Sequence, residues 1–255
     1  MVAGIVAAML QVCLNGARTR EEHRSLPISP SELAAEAARA VAAGAEDIHL
    51  HPKDAEGLDS LAPQTVAQAV TAVRGAVPCG VRIGVTTGAW AVPDPAERAA
   101  LVRSWTTLPD HASVNWHEDG AERVAEALLE RGVGVEAGIY SGTQAARRFH
   151  ASPFPGRVLR VLAEVTDTDA ATADRTAAAL VAELSLGGVR PTPMLLHGED
   201  GGAWPVLRAA ARLGLDTRIG LEDVLTLPDG SLAADNATLV RAARRLQAAQ
   251  AAGGQ

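Results

Sequence analysis

Two kinds of apolar pattern alternate along the chain. Short runs rich in Val, Leu and Ile predict strands at Leu10–Leu14, Ile48–His51, Val81–Val85, Ser113–Asn115, Val133–Glu136, Val158–Ala163, Pro193–Leu196 and Asp216–Gly220. Longer stretches with apolar residues every three to four positions predict helices between them. Their starts carry capping chemistry. Ser29-Pro30-Ser31-Glu32 places Ser at the cap, Pro at the first helical position and Glu three after the cap. Asp94-Pro95-Ala96-Glu97 repeats that logic, and Pro63 opens another helix. Gly44, Gly132, Gly187 and Gly214 supply stops, where a left-handed residue ends a helix at little cost. Asn236 to about Gln250 forms the last helix.

Eight strand-then-helix units in 255 residues give each unit about 32, the length one βαβ repeat needs. Strict alternation implies parallel strands. The count, the length and the lack of a Gly-rich phosphate fingerprint after the first strand favour an α/β fold closed as a (β/α)8 TIM barrel over an open sheet. With no linker-like stretch, residues 1–255 read as one domain, with a frayed tail at Ala248–Gln255.

Composition narrows the partners. Hydrophobic residues at 47% and charged residues at 21% exclude a disordered chain. No apolar run approaches the ~20 residues of a membrane span. Met1–Leu14 lacks a basic start and a cleavage site and reads as a first strand, not a signal peptide. A net charge of −7 without a basic tail argues against nucleic acid and anionic membranes. Two cysteines, Cys13 and Cys79, cannot build a disulfide framework, which fits a reducing cytoplasm. Of 23 basic residues only Lys53 is lysine, so single arginines carry little weight.

In a barrel of this kind the chemistry sits where strands end and lead into helices. The polar residues at those ends are Asn15, His49 and His51, Thr86 and Thr87, Asn115, Glu136, Glu164, His197, and Arg218 with Glu222 and Asp223. Ile48-His49-Leu50-His51 puts both imidazoles on one strand face. Two such rings are either ligands converging on one metal or histidines bonded to carboxylates such as Asp54. Glu222 follows the eighth strand, and in a closed barrel the order eight, one, two brings the loop after eight near the end of two. Two His and one Glu would leave a metal one open position. Taken alone, Glu222 and Asp223 also read as the acidic start of a helical turn. His111 and His117 read as surface loop residues, and His23 and His150 as loop or helix-end residues. Cys13 reads as a small core residue, and Asp167, Asp169 and Asp174 as a helix start and solvated face.

Asn15-Gly16-Ala17, Leu26-Pro27-Ile28-Ser29-Pro30, Ala43-Gly44-Ala45 leading into His49-Leu50-His51, Thr86-Thr87-Gly88, and Arg218-Ile219-Gly220-Leu221-Glu222-Asp223 form a spaced set. Through them most of the chain resembles the β-keto acid cleavage enzymes, whose first described activity was cleavage of 3-keto-5-aminohexanoate. The resemblance implies a (β/α)8 barrel with Zn2+ held by His49, His51 and Glu222. It implies Asp223 as the base with Arg218 as its partner, and Thr86, Thr87 and Gly88 as the turn that binds the substrate carboxylate. Glu136 lies near a family acidic position and is a third catalytic candidate. Asn115, at the fourth strand end, is a candidate substrate contact.

The implied reaction takes a small-molecule β-keto acid and a CoA thioester, acetyl-CoA. The acetyl-CoA enolate adds to the ketone, CoA is transferred, and a retro-Claisen step releases acetoacetate and a new acyl-CoA. A homo-oligomer is implied as well.

Departures from the family pattern matter. Arg18, with Arg20 and Arg24 nearby, stands where the family often has glutamate. An arginine there is either a solvated loop residue or a contact for a second substrate carboxylate, which points to an acidic β-keto acid. Lys53 replaces the usual arginine, Trp116–Gly120 departs from the family's fourth-strand loop, and Glu164 and His197-Gly198-Glu199 add ionisable groups. Two further readings stay open: a zinc barrel hydrolase that needs only water, and a non-catalytic descendant that binds a metal or metabolite.

Overall fold

The computed structural model describes residues 8–186 and 192–253. The start of Met1–Leu14, the stop at Gly187 and the last two residues of the tail lie outside them. Strands and helices alternate throughout: β1 Leu10–Cys13, α1 Pro30–Ala42, β2 Asp47–Leu50, α2 Pro63–Ala76, β3 Arg82–Thr86, α3 Pro95–Ser104, β4 His111–Asn115, α4 Ala121–Glu130, β5 Gly134–Tyr140, α5 Ala145–Ala151, β6 Arg160–Val165, α6 Ala173–Ser185, β7 Met194–Gly198, α7 Ala203–Leu213, β8 Thr217–Ile219 and α8 Asn236–Gly253. Every strand pair is parallel, in the order β7-β6-β5-β4-β3-β2-β1-β8. A parallel bridge between Leu195 and Asp216 joins the two ends, and the Thr217 hydroxyl donates to Leu196 O at 2.7 Å across the same seam. The sheet is a (β/α)8 barrel.

The predicted caps form. Ser29 and Glu32 make a reciprocal capping box at α1, and Asp94 accepts from the backbone N–H groups of Ala96 and Glu97 at α3. The outward strand positions (Val12, Ile48, Leu50, Ile83, Val85, Val135, Ile139) are fully buried under the helices, beside Leu33, Val70, Val124 and Val240. They are the apolar half of a period-two pattern.

The inward half is polar, because the barrel floor is ionic. Arg160 donates to Glu136 at 2.6 Å and to Asp47 at 2.9 Å. His111 Nε2 bonds Asp47 at 2.8 Å, and its Nδ1 lies 3.0 Å from Glu136. Gln11 donates to both carboxylates. Side chains of β1, β2, β4, β5 and β6 meet in this way only inside the closed sheet.

Two expectations are corrected here. His111 is not a surface loop residue: it is fully buried, its ring lies over Gly84, and a Cβ at Gly84 would come within 2.0 Å of it. Glu136 is not at the end of its strand. β5 runs on to Tyr140, so Glu136 sits near its start, in the floor, with its charge taken up by Arg160 and His111.

Candidate metal centre and the pocket around it

Asp47 and His49 share the inward face of β2 and His51, just past its end, continues that period, so the histidines stand above the floor at the barrel mouth. Their rings meet edge to face with centroids 5.4 Å apart. His49 Nε2 lies 3.8 Å from Glu222 Oε2, and His51 Nε2 lies 3.7 Å from Glu222 Oε1. One ligand atom from each of the three residues falls within 4.8 Å of the others.

Several contacts set these atoms in place. Asn15 ties the ends of β1 and β2 together: its Oδ1 accepts from His51 N–H, and its amide donates to His51 O and Pro27 O. Asp59 Oδ2 accepts from His51 Nδ1 at 2.7 Å. Burial raises the Asp59 pKa, but His51 and Lys53 outweigh it and hold the carboxyl far below the usual range. An ionised carboxylate only accepts, so His51 donates through Nδ1, and its Nε2 is the atom that faces Glu222. The non-metal reading of this pair offered Asp54 as an example of a carboxylate partner. Asp54 instead caps its own turn by accepting from Glu56 and Leu58 N–H.

Lys53 donates to Asp59 and to Gly16 O, both at 2.7 Å. Trp90 donates to Asp59 Oδ2 at 2.7 Å and stacks on His51. Gly16 has φ +59, and a Cβ there would come within 2.4 Å of Glu222 Cγ. The glycine is required for both its backbone angle and the passage of the Glu222 side chain.

The donors fit a cation. Burial drives the His49 pKa down to about 4 against the pull of Glu222, which leaves a neutral imidazole. Glu222 is held low, to about 2, by Arg218 and the two histidines against its burial. A neutral imidazole and an ionised carboxylate thus stand side by side, both able to serve as ligands. Glu222 Oε2 and His49 Nδ1 are buried without a hydrogen-bond partner, a cost that a bound cation would offset for the carboxylate.

Beside this triad Arg218 donates through Nη2 to Glu222 Oε1 at 3.1 Å and to Asp223 Oδ1 at 2.9 Å. Its Nε donates to His197 Nδ1 at 3.2 Å. Burial raises the Asp223 pKa to about 6 against the pull of Arg218 and His197, and Oδ2 has no partner. His197 is driven down to about 3 by burial and by Arg218, so it is neutral and turns Nε2–H towards Glu164, 3.4 Å away. Burial lifts Glu164 to about 7. These groups line a pocket of about 440 Å3 with Tyr140, Glu199, Asp200, Arg18, Glu22 and Trp90.

The structure brings His49, His51, Glu222, Asp223, Arg218 and Arg18 together. It does not bring Asn115, Glu136, Thr86, Thr87 or Gly88 into the pocket lining: Asn115 donates to Glu118 at 2.9 Å, and Glu136 is in the floor. The Thr86–Gly88 turn is buried beside the site. Thr86 Oγ1 accepts from Gly88 N–H, Thr87 donates to Ser113 O, and the Trp90 ring lies over Gly88. Sequence reasoning missed Asp59, Trp90, Tyr140 and Asp200. Asp59 is the paired end of the short Lys53–Asp59 hairpin, a signal carried by turn residues and not by strand periodicity.

The fold and site define a (β/α)8 barrel with a three-residue, metal-competent cluster at the C-terminal mouth. The chain belongs to the beta-keto acid cleavage enzyme family, whose pattern it matches over residues 7–253. Membership implies an enzyme that cleaves β-keto acids. Among solved structures the chain is similar to GH5_18 from Streptomyces cattleya in complex with GlcNAc, at 15% identity and TM-score 0.52, covering 94% of this chain and 81% of that one. It is also similar to the Yersinia pestis dihydropteroate synthase, at 15% identity and TM-score 0.50, covering 97% and 96%. These likenesses concern the fold alone. Among the described residues no helix is long and apolar enough to cross a membrane.

Proposed function

We propose that this chain is a zinc-dependent β-keto acid cleavage enzyme that uses acetyl-CoA as cosubstrate and forms acetoacetate and a new acyl-CoA. The observation that carries this is the convergence of His49, His51 and Glu222 in a chain that matches the family end to end. Those three side chains would hold the ion, and their two-nitrogen, one-oxygen set suits zinc with a position left open. When bound, zinc supplies Lewis acidity towards the substrate ketone.

The remaining work falls to the chain's own groups. Arg218 fixes Asp223 through Oδ1, which leaves Oδ2 to take a proton from the CH2 between the ketone and the carboxylate of the β-keto acid. That carbon, and not the acetyl-CoA methyl, must be the nucleophile: it adds to the thioester carbonyl, CoA passes to the former ketone carbon, and the bond between the two breaks to release acetoacetate and the new acyl-CoA. The Thr86–Gly88 turn is assigned to the substrate carboxylate. Thr86 keeps its own hydroxyl proton to donate, whereas Thr87 has given its proton to Ser113 O. Glu136 has no place in this scheme, since its oxygens are engaged by Arg160, Gln11 and His111.

The test is a panel of β-keto acids incubated with acetyl-CoA, with and without a chelator. Acetoacetate release that needs acetyl-CoA, stops on chelation and returns with zinc is expected. Turnover that needs only water would replace this reading with the hydrolase. Full activity in metal-free protein would overturn the metal assignment.

A further inference from the structure

Arg18 lines the pocket where the sequence suggested a contact for a second substrate carboxylate, yet all three of its guanidinium nitrogens already donate within the protein. Nε donates to the backbone carbonyl of Glu222 at 2.9 Å. Nη1 donates to Glu22 at 3.1 Å and Nη2 to Asp200 at 2.6 Å. Asp200 closes the circuit from the other side, because its N–H donates to the Asp223 carbonyl at 2.7 Å. Asp200 is also the only non-glycine residue among the described residues with positive φ, +47. Such a conformation is costly and persists when surroundings fix it. Here the Asp223 carbonyl holds its backbone and Arg18 holds its side chain. The two consecutive carbonyls of Glu222 and Asp223 are thus gripped by residues from the β1 and β7 loops, and those residues are bonded to each other.

We infer that Arg18 and Asp200 form a clamp that positions Glu222 and Asp223, and that Arg18 is not the ligand of a second substrate carboxylate. This rests on the reading of Glu222 as a metal ligand and Asp223 as the base. Both are positioning residues: they set the backbone from which those two side chains project. The fork geometry of arginine is essential, since one side chain must reach a backbone carbonyl and two carboxylates in fixed directions. Glu22 is itself anchored by Thr19 N–H at 2.8 Å, which holds the third arm in place.

The variants are Arg18→Gln, Arg18→Lys, Asp200→Asn and the Arg18→Gln/Asp200→Asn double. Zinc affinity is read by chelator competition, and kcat and KM are read on one mono- and one dicarboxylate β-keto acid with acetyl-CoA. The clamp predicts that each single change weakens zinc about tenfold, the scale of supporting contacts to metal ligands. It predicts that kcat falls on both substrates with KM little changed, that lysine does not restore the arginine, and that the double is no worse than either single. Wild-type zinc affinity in Arg18→Gln, with KM raised only for the dicarboxylate and largely restored by lysine, would overturn it. Should the wild-type chain bind no zinc, the metal reading fails, and amide exchange of residues 220–226 decides the clamp. Faster exchange in Arg18→Gln and Asp200→Asn supports it, and unchanged exchange refutes it.

Discussion

Asp223 carries its two oxygens into different surroundings, and the base role proposed for it rests on that difference. Oδ1 accepts from Arg218, while Oδ2 is buried without a partner. Asp223→Asn keeps the shape and removes the proposed base, so kcat is expected to fall by about 10²–10⁴ while zinc affinity stays near wild type. Parallel assays of turnover and metal binding check this. Asp59 works through its neighbour. Asp59→Asn replaces an acceptor of three donors, His51, Lys53 and Trp90, with a group that is half donor. Zinc affinity is then expected to drop 10–100-fold, read by chelator competition. At this scale the sequence was legible where one motif carried the chemistry, as in His49-Leu50-His51. It was silent where a partner's role depends on distance in space. Asp54 and Asp59 are equally plausible neighbours of His51 on paper, and only the Lys53–Asp59 pairing turns the second one inward.

Elements were read from period and punctuation, and each failure has a physical origin. The caps of α1 and α3 were visible because Ser, Asp, Pro and Glu occupy positions with free N–H groups. Ser29→Ala removes one of those bonds. It is expected to cost about 1 kcal/mol in urea unfolding with no change in zinc affinity, since α1 contributes no ligand. β5 was cut short at Glu136 because a charged residue resembles the end of a strand. Its continuation through Ala137, Gly138, Ile139 and Tyr140 alternates as the sheet requires, with Ala137 and Ile139 fully buried. His111 was given to a loop although His111, Ser113 and Asn115 share the period-two face of β4. A pattern states which residues share a face, and closure of the sheet states which face is inside.

The whole barrel stands on a charge-balanced floor, with Asp47 and Glu136 against Arg160 and His111. Glu136→Gln leaves cations buried with one counter-ion fewer. It is expected to destabilise the fold by about 3–5 kcal/mol, seen as a lower urea midpoint. His111 also links the floor to pH. Its burial opposes the charge, but Glu136 and Asp47 raise its pKa from 6.5 to about 9. A group raised on folding stabilises fully below its unfolded pKa, and that contribution is lost as pH rises through the folded value. Stability should therefore decline between pH 6.5 and 9, and the decline should flatten in His111→Gln, as urea midpoints across that range would show. Above the floor, the same inward face carries His49 and leads into His51, and the loop after β8 adds Glu222, so in the proposed reading one closed sheet serves both stability and chemistry. The most direct test of that account is zinc content after stripping and reloading, measured for the wild type and for His49→Ala, His51→Ala and Glu222→Ala. One ion per chain in the wild type, lost in all three variants while the barrel stays folded by circular dichroism, is the predicted result. Undiminished zinc in any of the three, or none in the wild type, would contradict it.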